Sequence, residues 1–230
     1  MRGRSKITTV VKGNGTPITI ENIQKTHRQR RGEIRERLSE FAAIGRHATD
    51  AELWAEMVFC FFTGGCSARM GINSLDAVRP LLLTGDQTAL STALSGKHRY
   101  PNARARYIVA SREFLKEHCG LQLRNKLQGF DCGLARRDWL VREKGIKGLG
   151  YKEASHYLRN VGFKGYAILD KHVLNCLAEL KIIDDPKPPN TRTRYLIIED
   201  KLKSLTAMTG IDFDELDLVL WSMKTGVILK

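Results

Sequence analysis

The amino-acid sequence predicts an all-α protein made of two helical lobes with a cleft between them. Apolar residues recur at helical spacing along nearly the whole chain after about Thr26. Strand patterns are few in that part, and capping residues, glycines and prolines separate the periodic segments. The chain has 230 residues, of which 42% are hydrophobic, so it can bury a substantial core.

The charge balance indicates a polyanionic partner. The formal net charge is +13 and the isoelectric point is about 9.7, although charge alone also fits a basic protein without a nucleic-acid partner. No apolar stretch reaches the roughly 18 residues needed to span a membrane, and the basic N-terminus lacks the apolar run of a secretory signal. We therefore expect a protein of the cytoplasm, associated with the nucleoid.

The cysteines are scattered along the chain and form no Cys-x-x-Cys pair. They are Cys60, Cys66, Cys119, Cys132 and Cys176. This spacing argues against a zinc ribbon or a disulfide framework. We expect reduced thiols, several of them buried, and no metal site.

Residues 1–32 are expected to form a basic N-terminal arm, and residues 33–230 the folded core. As far as about Thr26, the sequence mixes Gly, Lys, Thr and Asn with short β-branched runs, which favours an extended conformation. The segment from His27 to Arg37 is rich in arginine and predicts a helix. Its basic face either contacts phosphates or is simply solvated.

Capping patterns predict where several helices begin. Thr49-x-x-Glu52 is a capping box and opens a helix that runs to Phe62. Ser74 is expected to cap a later helix.

The last helix has signals at both ends. Asp212-x-x-Glu215 is a second capping box, and Gly226 is expected to end the helix. Trp221 lies off the core face that the apolar spacing predicts for this helix.

Basic and aromatic residues are concentrated around a proline turn in Gly96–Tyr107. On their residue type alone, Tyr100 and Tyr107 are either core residues whose polar tips point outward or aromatics exposed to a partner. Arg104 either holds local structure or binds phosphate.

The most informative stretch is Ile146–Asp170. Gly148-Leu149-Gly150 precedes a helix with Tyr151, Ala154, Leu158 and Val161 on one face and Lys152, Ser155, His156 and Arg159 on the opposite face. Gly145 is expected to cap the preceding helix. The glycines permit unusual backbone angles and close approach, and free N–H groups at a helix N-terminus favour an anion, which for a basic protein indicates a nucleic-acid phosphate.

This stretch resembles the hairpin of helix–hairpin–helix DNA glycosylases. Lys152 and Asp170, eighteen positions apart, resemble the catalytic Lys and Asp of that superfamily. The sequence of residues 150–156 is most similar to that of the archaeal-type 8-oxoguanine DNA glycosylase/AP lyase subfamily. In contrast, the loop before Asp170 lacks the proline found in part of the superfamily. The resemblance runs from about Ala51 to Lys230. It implies the all-α glycosylase fold, with a hairpin motif at about residues 136–160 and a DNA-binding cleft between the lobes.

The chemistry that the resemblance implies suits these two residues. Lys152 would attack C1′ of the deoxyribose as a neutral amine, and the helix dipole and desolvation both disfavour the ammonium form. Asp170 would stabilise positive charge that develops on the sugar. It also lies where a helix N-cap is expected, and the two roles are compatible because a cap uses one oxygen.

The remaining site residues follow from the same resemblance. The expected DNA contacts are Gly148, Gly150, Tyr100, Arg104 and His172, with Tyr100 as the wedge that offsets the cost of unstacking a flipped base. Trp221 and Lys230 are expected to hold the flipped base, with an ordinary core Trp as the alternative for Trp221. No cofactor is expected, apart from a monovalent cation at the hairpin.

The predicted protein is a monomeric, bifunctional glycosylase and AP lyase. It would excise 8-oxoguanine from double-stranded DNA, form a Schiff base through Lys152 and cleave the strand by β-elimination. Two alternatives stay open: a glycosylase for another oxidised base, and a non-catalytic helix–hairpin–helix protein that only binds DNA.

Overall fold

A computed structural model of the chain describes residues 16–229, which fold into α-helices and one 3-10 turn without a β-strand. The helices are α1 (Ile20–His47), α2 (Asp50–Thr63), α3 (Ala68–Val78), α4 (Gln87–Leu94), α5 (Pro101–Cys119), α6 (Leu123–Gln128), α7 (Gly133–Arg142), α8 (Tyr151–Asn160), α9 (Lys171–Glu179), α10 (Arg192–Thr209) and α11 (Phe213–Thr225), and the 3-10 turn is Arg79–Leu81. The all-α prediction is confirmed. None of the described helices is both long enough and apolar enough to cross a membrane.

The described chain divides into two compact units, which confirms the predicted pair of helical lobes. The terminal unit comprises the described residues up to Leu38 and those from Leu169 onward. The central unit comprises Ser39–Ile168. Both ends of the described chain therefore belong to the terminal unit. Helix α1 contributes residues to both units.

The N-terminal helix begins earlier than predicted. Thr19 Oγ1 accepts a hydrogen bond from the Asn22 N–H at 3.2 Å, and α1 starts at Ile20. Ile23 is fully buried, which gives this first turn an apolar anchor. The extended conformation expected as far as Thr26 is therefore wrong from Ile20 onward. Residues 1–15 of the predicted arm lie outside the described part of the chain.

The core of the central unit is built around α2. Trp54, Met57 and Phe61 on this helix are completely buried, and α2 packs against α3, α5, α6 and α8. Its predicted capping box is confirmed: Thr49 Oγ1 accepts from the Glu52 N–H at 3.3 Å, and Glu52 Oε2 accepts from the Thr49 N–H at 2.7 Å.

The cap predicted for the next helix is wrong. Ser67 begins α3, and its Oγ accepts a hydrogen bond from the Met70 N–H at 3.2 Å. Ser74 lies buried in the middle of α3, and its hydroxyl donates to the Lys97 carbonyl at 3.2 Å. Both serines satisfy the local capping pattern, and the tertiary contact of Ser74 distinguishes them.

The predicted helix–hairpin–helix motif consists of α7, residues 143–150 and α8. The two helices are joined by buried polar contacts. The Arg137 guanidinium, 1% exposed, donates to Ser155 Oγ at 3.1 Å. The Tyr151 hydroxyl donates to Asp138 Oδ1 at 3.0 Å. Ser155, His156 and Arg159 are all buried, so most of the polar face predicted for α8 does not face solvent.

The hairpin rests on one face of α5. Tyr107, Ser111 and Phe114 lie at positions i, i+4 and i+7 of this helix and contact consecutive parts of the hairpin. Ser111 Oγ accepts a hydrogen bond from the Lys147 N–H at 2.8 Å. A Cβ on Gly148 would lie 2.6 Å from the Tyr107 ring. α5 is therefore the scaffold that determines where the hairpin lies.

Gly145 has a different role from the predicted helix cap. α7 ends at Arg142, with Glu143 as its C-cap residue. A Cβ on Gly145 would lie 1.9 Å from Cδ2 of Phe114, far closer than any real contact. Glycine occupies this position because the backbone lies directly on the aromatic ring.

The terminal unit packs α9, α10 and α11 around an apolar core. The core side chains that are completely buried include Leu174, Leu177, Leu202, Leu205, Leu216, Val219 and Leu220. The predicted end of α11 is confirmed, because Gly226 is the C-cap residue with a φ of +78°.

Only half of the second predicted capping box forms, and the prediction for Glu215 is wrong. Asp212 caps α11 by accepting from the Asp214 N–H at 2.9 Å. The side chain of Glu215 instead contacts α1, where Oε2 lies 2.5 Å from His27 Nε2 and Oε1 accepts from Arg35 Nε at 2.7 Å. Burial alone would raise the pKa of the Glu215 carboxyl, but the hydrogen bonds from Arg35 and His27 outweigh it and hold that pKa below its usual value.

Gly145→Ala should destabilise the protein by about 1–3 kcal/mol, because the added methyl group overlaps the Phe114 ring. Chemical denaturation measures the loss. Gly129→Ala is the matched control, since its Cβ would meet only the carbonyl oxygens of Asn125 and Lys126, at 3.4 and 3.7 Å, which are ordinary contacts. Adding Phe114→Leu should recover part of the loss. An equal loss at positions 145 and 129 would contradict the steric explanation.

Glu215→Gln should reduce stability at neutral pH by about 2 kcal/mol, because it removes a buried, charged acceptor. The folded-state pKa of Glu215 is lowered, so its stabilisation is present above the unfolded-state pKa and is lost as pH falls through the folded value. The difference from wild type should therefore shrink below about pH 4. Glu33→Gln, at a more exposed ion pair with Arg30, should change stability little. A difference that does not vary with pH would contradict this account.

Candidate active site

Lys152 is the second residue of α8, directly after the hairpin. Its Nζ lies 3.0 Å from Glu153 Oε1, and the two side chains are 24% and 16% exposed. The N-cap residue of α8 is Gly150, which offers no side-chain cap to the first N–H groups. The predicted nucleophile is thus a partly exposed amine, paired with a carboxylate at the start of a helix.

Glu153 is a site residue that the sequence analysis did not identify. Its Oε2 lies 3.1 Å from the position that a Cβ on Gly150 would take, and its Oε1 lies 3.6 Å from the corresponding position on Gly64. Glycine at both places leaves room for the carboxylate. An acid three residues after an N-cap that lacks a side chain was the available signal, because negative charge is favoured there.

The two hairpin glycines differ in what requires them. Gly148 has a φ of +81°, in the left-handed region, and a Cβ added to it would lie 2.6 Å from the Tyr107 ring. Gly150 has a φ of −89°, which any residue can adopt. An additional side chain at Gly148 therefore meets both backbone strain and a clash, whereas at Gly150 only the Glu153 carboxylate would have to move.

Arg104 is largely buried and binds the loop between α2 and α3. Its Nη2 donates to the Gly64 carbonyl at 2.6 Å, and the residue is 9% exposed. The guanidinium carbon lies 5.5 Å from the Tyr107 ring centre and 5.9 Å from that of Tyr100. These contacts favour the structural alternative for Arg104, and its role in binding phosphate stays a prediction.

Tyr100 is exposed, in contrast to Tyr107. It is the N-cap residue of α5, 44% of its surface is exposed, and Arg99 lies 5.4 Å from its ring centre. Its side chain is therefore available to a partner and is not part of the core. Tyr107 instead packs beneath Gly148.

His98 positions Tyr100, a contact that the sequence analysis missed. The Tyr100 N–H donates to His98 Nδ1 at 2.9 Å, and His98 Nε2 lies 3.2 Å from the Phe62 carbonyl oxygen. Only the neutral imidazole with its proton on Nε2 satisfies both contacts. Burial lowers the pKa of His98, which favours this neutral form.

Asp170 is the N-cap residue of α9. Its Oδ1 accepts hydrogen bonds from the N–H groups of His172 and Val173, at 2.8 and 2.9 Å. No hydrogen bond from another described residue reaches Oδ2. The carboxylate therefore has the predicted arrangement: Oδ1 caps the helix, and Oδ2 is free to interact with a substrate.

His172 and Trp221 lie together in the terminal unit. Their ring centres are 6.2 Å apart, with the rings nearly perpendicular at 86°. Burial is the main reason that the pKa of His172 is lowered, and the Asp170 carboxylate opposes it only in part. Trp221 is half-buried while Leu220 and Ser222 beside it are buried, so it lies off the core face as predicted. Lys230 lies outside the described residues.

Each unit therefore holds one group of the predicted site residues. The central unit holds Lys152, Gly148, Gly150, Arg104 and Tyr100, and the terminal unit holds Asp170, His172 and Trp221. The cysteines are all free. Within residues 16–229, no group of three or more His, Cys, Asp or Glu side chains could hold a metal ion.

Most of the chain is similar to known proteins. The family model described as 8-oxoguanine DNA glycosylase matches residues 34–211. A Korarchaeum cryptofilum protein named 8-oxoguanine DNA glycosylase/AP lyase is 40% identical over 198 residues, which are 86% of this chain and 90% of that protein.

Solved structures agree with the sequence matches. The Methanocaldococcus jannaschii 8-oxoguanine glycosylase/lyase, in complex with a 15mer DNA containing 8-oxoguanine, has a TM-score of 0.84 and 33% identity, covering 92% of this chain and 99% of that one. The 8-oxoguanine DNA glycosylase of Thermotoga maritima has a TM-score of 0.83 and 31% identity, covering 92% and 98%. The family match, the identities and the shared fold show that the chain belongs to the helix–hairpin–helix family of 8-oxoguanine DNA glycosylases.

Proposed function

We propose that the protein excises 8-oxoguanine from double-stranded DNA and then cleaves the strand as an AP lyase. The observation that carries the proposal is Lys152 at the second position of the helix after the hairpin, in a chain that belongs to this family. A protein that only binds DNA needs no amine there. The names of the relatives support the same activity.

Lys152 acts as the nucleophile. Its neutral amine bonds to C1′ of the deoxyribose, the bond from C1′ to the base breaks, and the base leaves with a proton. The resulting aminal opens to a Schiff base. Loss of a C2′ proton then breaks the bond to the 3′ phosphate by β-elimination. The neutral amine forms when the ammonium passes a proton to Glu153 Oε1, 3.0 Å away, which also ends the ion pair.

Asp170 supplies negative charge to the same nucleotide. Its Oδ2, free of the cap hydrogen bonds, stabilises positive charge on the sugar as the base departs. The cap bonds to Oδ1 hold the carboxylate in one orientation, so little reorganisation is needed when the charge develops.

Other residues bind the DNA and the base. The N–H groups of Gly148 and Gly150 contact a backbone phosphate, with a monovalent cation at the hairpin as part of the same proposal. Tyr100 fills the space left by the flipped base, which its exposure and neighbouring arginines support. Trp221 stacks on the base.

The proposal also covers two further residues, the oligomeric state and the location of the protein. His172 lies beside Trp221 and contacts the DNA near the base. Lys230 contacts the base from the C-terminus. The protein acts as a monomer on DNA in the cytoplasm, at the nucleoid.

Lys152→Gln should abolish the covalent complex that borohydride traps between the protein and a duplex containing 8-oxoguanine, because the amide cannot form a Schiff base. Single-turnover excision should fall by at least about a hundredfold. Lys164→Gln, at an exposed lysine in the loop after α8, is the matched control and should behave as wild type.

The same assay separates the alternatives. A covalent complex that survives Lys152→Gln would contradict the assigned nucleophile. Wild-type protein that binds the duplex and traps nothing would identify a non-catalytic binder. Excision of an oxidised pyrimidine in preference to 8-oxoguanine would identify a different lesion.

Asp170→Asn should retain binding to the lesion and the melting temperature, while excision falls by at least about a hundredfold. Asn also caps helices, so this change removes charge and keeps the cap. Asp170→Ala removes both and should additionally lower the unfolding free energy by about 1 kcal/mol. Excision that is normal in the Asn variant and impaired only in the Ala variant would assign Asp170 to capping alone.

A further inference from the structure

We propose that the exposed face of α1 around Gly32 is a second contact surface for the phosphate backbone of double-stranded DNA. The proposal rests on the proposed function in that it assumes a DNA partner, and it concerns residues that belong to neither group of active-site residues. Lys25, Arg28, Gly32 and Arg35 recur at positions i, i+3, i+7 and i+10 of the helix, so they share one face. We call these four residues, together with Arg31 beside them, the Gly32 face.

The cations of the Gly32 face are available to a partner. Lys25 and Arg28 are exposed and form no ion pair or hydrogen bond with a described residue. The same holds for Arg31, at one side of the face. Arg35 is 56% exposed and is held at its Nε by Glu215. Unpaired cations at regular spacing repel one another, and phosphates along a DNA strand would relieve that repulsion.

Gly32 is an independent observation that indicates close approach. It lies inside a helix of 28 residues, where glycine is less stable than alanine. A Cβ added to it would meet nothing within 4 Å, so no contact among the described residues requires a glycine. This differs from Gly145 and Gly148, where aromatic rings exclude a side chain. A bare patch of backbone between arginines leaves space for a phosphate group against the helix.

The charges around the face limit its extent. Glu21 precedes Lys25 and Glu36 follows Arg35, so the cationic part spans about three helical turns between two acids. Arg30 is paired with Glu33 at 2.8 Å and is excluded from the free cations. A short cationic surface of this kind suits a few successive phosphates and carries no information about sequence.

The test compares the salt dependence of DNA binding by the full chain, measured by fluorescence anisotropy with an undamaged duplex and with one containing 8-oxoguanine. Arg28→Gln combined with Arg31→Gln should weaken binding about tenfold at 0.1 M salt. It should also reduce the steepness of log K against log salt by about 2, equally for both duplexes. Lys181→Gln with Lys187→Gln, at two exposed lysines of the same unit, is the charge-matched control and should leave the slope unchanged.

Gly32→Gln provides a second measurement that loss of folding cannot mimic. The melting temperature should rise by about 2 °C, because glutamine is the better helix former. Binding should nevertheless weaken, because the new side chain occupies the space for the phosphate. A more stable variant that binds DNA as tightly as wild type would overturn the close approach at Gly32.

The outcomes also separate this inference from the proposed function. If wild type excises 8-oxoguanine and the arginine variant keeps its affinity and salt slope, the Gly32 face is not a DNA surface. If the control loses as much slope as the arginine variant, the effect is one of net charge and the proposal fails. If wild type binds DNA without excising the base, the proposed function fails while the comparison of slopes remains valid.

Discussion

The region around Lys152 depends on one close contact, in which the backbone of the hairpin lies on aromatic rings of α5. Phe114 occupies the space where Gly145 would carry a side chain, and Tyr107 does the same at Gly148. Rings are rigid and protein interiors are densely packed, so this contact has little freedom to slide. It determines where α8 begins, and the position of the Lys152 backbone follows from it.

The sequence predicted the parts of the fold that local rules control. The Thr49 capping box, the Gly226 helix end and the two helices of the hairpin motif all follow from residues a few positions apart, and the structure contains each of them. Asp170 as an N-cap is another local result, because its partners are the next N–H groups along the chain. In the site, local rules placed Lys152 at the start of its helix for the same reason.

Residues whose role depends on a distant partner were assigned incorrectly or were overlooked. Glu215 satisfies the capping pattern, but buried contacts with α1 outweigh one exposed cap bond. Ser74 was predicted to be a cap because spacing cannot reveal that the Lys97 carbonyl lies within reach of its hydroxyl. Gly145 was interpreted as a cap, since the ring that excludes its side chain is 31 positions away in the sequence. In each case a contact between remote segments decided between two locally acceptable arrangements.

The cysteines differ in how they would respond to oxidants, the agents that convert guanine to 8-oxoguanine. Thiols react with peroxides as thiolates, and burial raises the pKa of Cys176 to about 12. Cys176 lies on α9, the helix that Asp170 caps, and it is completely buried. Cys132, before α7, is exposed. Peroxide stress should therefore leave the helix that carries the Asp170 carboxylate chemically intact, and sulfenic acid should form first at Cys132.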